Sequence, residues 1–351
     1  MRSPRNGGPS RSPWPMLVAI GALLTLSAGR AAAQEAAGAT MKIATVAPEG
    51  TPWSEGLEEY RKQIEADTGG AVKARVFLGG ALGDENESVQ ACARGQIQAV
   101  GASTAALSSI VPELAVLEMP YLFRTPEEAD RILDEVALAT LEKAFRDRGL
   151  VLGFWSENGY RSFGTNFGFV KTPADLKGHK MRSQESPVHL EMYRAFGASP
   201  VPIAVTEVLT SLQTGVIDGY DNTPLFSQAA QWTSGTKFYS LTNHIYQAAA
   251  IVFNAAWFDA LDAKSKSALL APRAGLMQRM RKEIRALNPL LVENFGPMGI
   301  QVYAPTRDEL AQFEKAAATG RAAYLAKASG GEKALYAQIE KGLATLRQAG
   351  K

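Results

Sequence analysis

Between Gly178 and Pro224 the chain reads GHKMRSQESPVHLEMYRAFGASPVPIAVTEVLTSLQTGVIDGYDNTP, in which short apolar strands alternate with helices. This alternation constrains the fold more than any other feature. Strands interleaved with helices build mostly parallel sheets, and open sheets of this kind hold ligands at the carboxyl ends of their strands. The segment places Arg182 at one strand end and Asn222 just past another.

The same rhythm starts at Met41. MKIATVA reads as a buried strand, and Thr51-Pro52 supplies a cap and first-turn proline for a helix to about Asp67. AVKARVFL and IQAVGA are further strands, flanking a helix over Glu85–Arg94 that Gly95 stops. Thr125-Pro126-Glu127-Glu128 opens a long helix with a capping-box arrangement. Val151–Glu157 reads as a strand that leads through RSFGTN into a second α/β unit. After Ala248 the chain turns predominantly helical, with Pro272 and Pro289 marking kinks or breaks within Ala263–Phe295. Two more helices follow, near Thr306–Lys327 and Gly331–Gln348. No repeat or flexible linker divides the chain, so two α/β lobes that exchange strands are expected, with a cleft between them and long helices in the C-terminal third.

The first residues are not expected in the folded protein. Arg2, Arg5 and Arg11 precede an apolar run, Met16–Ala28, too short to span a bilayer comfortably, and Ala31–Ala33 supply the small residues of a cleavage site. A signal peptide over 1–33 would leave 318 of the 351 residues, ample for two domains. That leader holds four arginines and no acid, so its removal turns a formal +2 into −2. Such a balance gives no reason to expect nucleic acid or an anionic membrane as partner. No other stretch is long and apolar enough for stable membrane insertion. Cys92, the single cysteine, excludes an internal disulfide and reads as a buried small hydrophobe on a helix. His179, His189 and His244 are too scattered to suggest a metal site.

Arg161 in ENGYRSFGTN, Arg182 in HKMRSQ and Asn222 in YDNTP sit at strand ends or the turns after them. A guanidinium offers a planar fork of donors matched to a carboxylate, where lysine would be a point charge. The competing reading of each arginine is a solvated side chain or a local ion pair. An exported hydrolase or lyase would need a nucleophile and base, yet the chain has no G-x-S-x-G elbow and its histidines lie outside any motif.

The stretches PEGTPW, LGDENESVQACARGQIQ, LEMPYLF, NGYRSFGTN, LTNH and the long block ending at Pro224 resemble the solute-binding proteins of tripartite ATP-independent periplasmic (TRAP) transporters, in the DctP-like group. The resemblance covers about Met41 to Gln348. It implies a periplasmic-binding-protein-like fold and a periplasmic receptor that captures an organic acid and delivers it to an ion-gradient-driven membrane permease, without catalysis or cofactor. Its carboxylate-clamping arginine falls on Arg182, its supporting arginine on Arg161 and its carboxylate-bonding asparagine on Asn222. Glu87 matches a polar pocket position, and Glu87, Tyr160 or Tyr220 would select the rest of the ligand. Trp53 and Phe123 are either cleft walls or core aromatics.

Sialic-acid-binding members often carry phenylalanine where this chain has Val205, which makes sialic acid itself a poorer fit. The acidic and aromatic pair that holds a cation in some keto-acid binders is also missing, so no metal is expected. Lobe I is expected over 41–157 plus about 248–290, and lobe II over 158–247 plus about 291–351. A similar cleft would serve a receptor for an ATP-driven importer or a sensor kinase.

Overall fold

A computed structural model describes residues 39–271 and 275–349. The proposed signal peptide and Pro272 lie outside the described residues.

One mixed sheet of nine strands organises the chain: β1 (Ala39–Thr45), β2 (Val72–Phe77), β3 (Ala99–Ser103), β4 (Leu150–Thr165), β5 (Lys180–Ser183), β6 (Ser199–Pro202), β7 (Gly219–Asn222), β8 (Phe238–Asn254) and β9 (Gln301–Tyr303). Their order is β2-β1-β3-β8-β4-β7-β5-β6, with β9 added parallel to β8. β1 and β3 are parallel, as are β7, β5 and β6. Between these parallel groups run two long antiparallel strands, β4 and β8, paired from Leu150↔Asn254 to Thr165↔Phe238. The far half of β8 (Ala249–Phe253) pairs with β3, whereas the far half of β4 (Ser162–Thr165) pairs with β7. Each long strand therefore belongs to both halves of the molecule, as the expectation of exchanged strands requires.

Three readings change here. Val151–Glu157 and the segment after it form a single strand, and β8 stays extended through Asn254 instead of turning helical after Ala248. The helix opened by Thr125 is not one long helix, because a π-helical turn at Ile132–Val136 separates Pro126–Arg131 from Leu138–Asp147. The long strands were hidden because both are buried along nearly their whole length, and such strands read as apolar runs without alternation.

β4 stays continuous through register shifts at Leu152/Phe154, Glu157/Gly159 and Arg161/Phe163. These bulges bend a strand and increase its twist. Gly159 is needed at the middle one: its φ is +96°, and a Cβ there would lie 2.8 Å from Asn288 Nδ2. Farther along, the Tyr220 ring occupies the space over Gly164, where a Cβ would fall 2.5 Å from its Cζ.

Apolar clusters pack both faces of the second half. Phe163, Met181, Met192, Tyr193 and Phe196 join Phe313 and Ala317 of the Arg307–Lys327 helix. Ile203, Val208, Leu212, Ile217, Tyr220 and Trp232 form the opposite cluster. The Leu276–Asn294 helix packs on β4 and on both the Pro52–Asp67 and Pro224–Ala229 helices. Arg285 ties it down, reaching Asp130 at 2.8 Å and the buried Glu157 at 2.5 Å.

Cys92 is fully buried, as read, and burial pushes its thiol up to about 12. The thiolate is the reactive form, so native protein should leave a thiol-specific disulfide reagent unreacted at pH 8. One equivalent should react in denaturant. Fast stoichiometric labelling of the native state would contradict this placement.

Candidate solute-binding cleft

The strand ends bring the two halves face to face. From the first come the end of β1 with Val46–Pro48, Trp53, Glu85 and Gly101–Ser103; from the second come Arg182, Gln184, Val205, Thr223, Leu225 and Phe226. Asn158 and Ala249 of the long strands also line the space. Two narrow cavities share Glu85 as a common wall. Hydrogen bonds cross between the halves: Asn86 Nδ2 donates to Glu185 at 2.8 Å, and Gln184 Nε2 donates to Ser103 Oγ at 3.3 Å. Deeper in, His189 Nε2 lies 2.7 Å from Glu118, both fully buried. Burial works against ionising Glu118, yet His189 and Arg161 hold it below the usual carboxylate range.

Arg182 lines the smaller cavity. On β5 the preceding Met181 enters the cluster under the Pro187–Ala195 helix, while Arg182 stands beside Tyr220 of β7. Its guanidinium carbon lies 5.4 Å from the Trp232 ring centroid, and Tyr220 meets the same ring edge-on at 5.0 Å. Its Nε donates to Ile203 O at 3.0 Å, but Nη1 is buried with no hydrogen-bond partner among the described residues. Burial, and then the charge of Arg161, push this guanidinium down to about 10. The group remains a cation at neutral pH, buried and without an ion-pair partner among the described residues.

Sequence reasoning set Arg161 among the donors facing a ligand. In the structure its donors are taken by protein. Nε donates to Asp221 Oδ2 at 2.6 Å and Nη2 to Asp221 O at 2.5 Å; Nη1 reaches Gln247 Oε1 at 3.0 Å and Asn222 Oδ1 at 3.4 Å. Asp221 also accepts from Tyr193 Oη at 2.6 Å and from His244 Nε2 at 3.4 Å. Burial lowers His244, which favours the neutral ring; its Nδ1 then accepts from the Thr242 hydroxyl at 2.8 Å. Burial alone would raise Asp221, but the Arg161 charge and the His244 hydrogen bond hold it well below the usual carboxylate range. The consequence reaches Asn222. Its Oδ1 accepts from Thr223 N at 2.8 Å and from Arg161, while its Nδ2 donates to no protein acceptor among the described residues.

The other expected residues divide. Val205 lines the smaller cavity beside Arg182, and Trp53 lines the larger one, its Nε1 fixed on Glu157 O at 3.0 Å. Tyr220 lies in the core beneath Trp232 and lines neither cavity. Phe123 and Tyr160 line a separate groove with Tyr121, Arg321 and Arg347. Phe123 is a core aromatic, edge-on to Tyr246 at 5.8 Å.

Glu87 is exposed and turns back to accept from Asp84 N at 2.9 Å. Of the acids that line the cavities, Asp84, Glu85 and Glu185, the one shared by both is Glu85, two residues earlier. Its Oε1 accepts from Ser103 N at 2.7 Å and its Oε2 from Ser103 Oγ at 3.0 Å. Burial raises its carboxyl to about 7 despite those bonds. Glu85, Ser103 and Gln184 were missed. For the first, the signal was present: Asp84-x-x-Glu87 is a capping-box spacing, which commits the third helical residue to the cap.

Asp221 provides a pH test. Its depressed folded pKa contributes stability that is present above the unfolded value of about 3.9 and lost as pH falls through the folded value. Asp221→Asn should cost about 3–5 kcal/mol in urea unfolding at pH 7, the scale of a broken buried pair, and should lose less than the parent between pH 5 and 3. Equal stability of the two proteins at pH 7 would refute the pairing.

Residues 43–327 match the family model described as bacterial extracellular solute-binding protein, family 7. A solute-binding protein from Verminephrobacter eiseniae is 34% identical over 81% of this chain and 87% of its own length. A TRAP periplasmic solute-binding protein from Bordetella bronchispeptica, with density assigned as pantoate, superposes with a TM-score of 0.79 at 32% identity, over 86% of this chain and 98% of the other. One from Polaromonas, bound to D-erythronate, superposes at 0.80 with 28% identity, over the same shares. The two-lobed architecture, the cleft at the strand ends and these matches agree: the chain belongs to the bacterial extracellular solute-binding protein family 7, the solute receptors of TRAP transporters.

Proposed function

We propose that the chain, exported by its leader and working in the periplasm, closes its two lobes around an organic acid and hands it unaltered to a TRAP membrane permease. The buried Nη1 of Arg182, without a partner, carries this reading. A buried unpaired charge is costly, and a carboxylate is the complementary planar acceptor. Asn222 Nδ2 is the second donor. Arg161 acts through others: neutralised by Asp221, it holds the Asn222 carbonyl and leaves the amide nitrogen without a protein acceptor among the described residues. Glu85 takes the role first given to Glu87, and Trp53 and Val205 shape the walls. The small organic acids bound by the Bordetella and Polaromonas proteins support an acid as the ligand.

Closure follows from the long strands. The lobes share β4 and β8, so bending near the bulge at Glu157/Gly159 moves one against the other as a hinge. A ligand drives this only through its greater affinity for the closed form. Arg182 and Asn222 on one lobe and Glu85 on the other supply that difference, because a single molecule reaches all three only when the lobes meet.

A thermal-shift screen of organic acids should reveal a ligand, since binding to the folded state alone raises its stability. With that acid, calorimetry should find no binding to Arg182→Ala, and Arg182→Lys weaker by about 1.5–3 kcal/mol, the scale of a hydrogen bond to a charged group. A folded Arg182→Ala protein of undiminished affinity would remove the proposed clamp.

A further inference from the structure

We infer that this cleft selects hydroxylated monocarboxylates and rejects dicarboxylates, with Glu85 as the residue that discriminates. The inference rests on a carboxylate docking at Arg182 and concerns what the rest of that molecule meets.

The charges lining the two cavities are unequal. Arg182 is the one cation among the lining residues, against Asp84, Glu85 and Glu185. The second guanidinium of the region, Arg161, already has Asp221 as its counterion at 2.6 Å. A first carboxylate satisfies Arg182, and no lining cation is left for another. Glu85 lines both cavities, so a molecule reaching from Arg182 toward the larger one meets this acid. A second carboxylate there would be desolvated beside the Glu85 carboxyl, which must then either repel it or take up a proton, and no lining cation offsets the charge.

Hydroxyls meet the opposite situation. A carboxyl group has about four lone-pair positions when ionised and keeps acceptor capacity when protonated. Those of Glu85 accept from Ser103 N, Ser103 Oγ and, at a long 3.5 Å, Gln184 Nε2. Capacity remains for a ligand O–H. The larger chamber beyond is mainly apolar in its walls, with Val46, Trp53, Leu225, Phe226 and Ala249, and the Trp53 ring nitrogen is already spent on Glu157 O. That surface suits a carbon body with few polar groups. The ligand class is thus a short acid with one carboxylate, one or more nearby hydroxyls and an aliphatic remainder.

Calorimetry with two pairs of probes tests this: pantoate and D-erythronate as hydroxy monocarboxylates, succinate and L-malate as dicarboxylates. At least one of the first pair should bind, and both dicarboxylates should bind about 100-fold more weakly or worse, the scale of an uncompensated buried charge. Glu85→Gln, checked for folding by its thermal transition, should narrow that gap by about tenfold or more, chiefly by strengthening the dicarboxylates. Succinate or malate binding the parent as tightly as the hydroxy acids would overturn the selectivity while leaving a carboxylate receptor in place. A folded Glu85→Gln protein with the parent's selectivity would remove Glu85 as its cause. Failure of all acids, in these probes and in the wider screen, would instead strike at the carboxylate clamp itself.

Discussion

Two guanidinium groups share the interior beside β7, and the site depends on their unequal treatment. Arg161 is enclosed by Asp221, Asn222 and Gln247, so its charge is cancelled where it stands. Arg182 has a backbone carbonyl for Nε, an aromatic face for its plane and a buried nitrogen without a partner. A buried charge lacking its counterion is among the more expensive states a fold can hold. The protein tolerates one here, and the proposed ligand supplies the missing anion. Asp221 also limits repulsion between the two cations, because it sits against the first and reduces its field at the second.

The sheet makes this arrangement possible. β5, β6 and β7 are parallel, so their carboxyl ends point one way and carry Arg182 and Asn222 to the same edge. β1 and β3 bring Val46 and Ser103 to the opposing edge by the same logic. The long strands then join the two groups without a separate linker. Gly159 permits the local backbone conformation at the central bulge, where any side chain would collide with Asn288. Rigid lobes joined by two continuous strands can close along a narrow range of paths, which keeps the facing side chains in register.

Local chemistry in the chain was legible where it depended on neighbours in sequence. The helix caps at Thr51, Thr125 and Thr306 lie where capping residues occur in the sequence. The buried cysteine was legible from its place on a helix face. The prominence of Arg182 came from its position in KMRS at the end of a short strand. The long strands were not legible: with both faces buried, their periodicity vanishes, and the apolar run in β8 looked like the start of helical structure. Glu87 and Glu85 show a subtler limit. Two acids in one helical turn point in different directions, and the capping bond draws the later one back toward Asp84. Tyr160 was read as a cleft residue and lines another groove, whereas Phe123, read as a cleft wall or a core aromatic, packs in the core at that groove.

By itself the sequence determined an α/β chain with parallel strand groups, an arginine and an asparagine at strand ends, and one cysteine that cannot form an internal disulfide. Those follow from periodicity, turn chemistry and composition, all of which act over a few residues. Only the tertiary structure decided which arginine is free. The two sit in similar local settings, and what separates them is Asp221, sixty residues from Arg161 in the chain and 2.6 Å from it in space. Charge in a protein interior is settled by whatever the fold brings within hydrogen-bonding distance, and no local pattern encodes that distance.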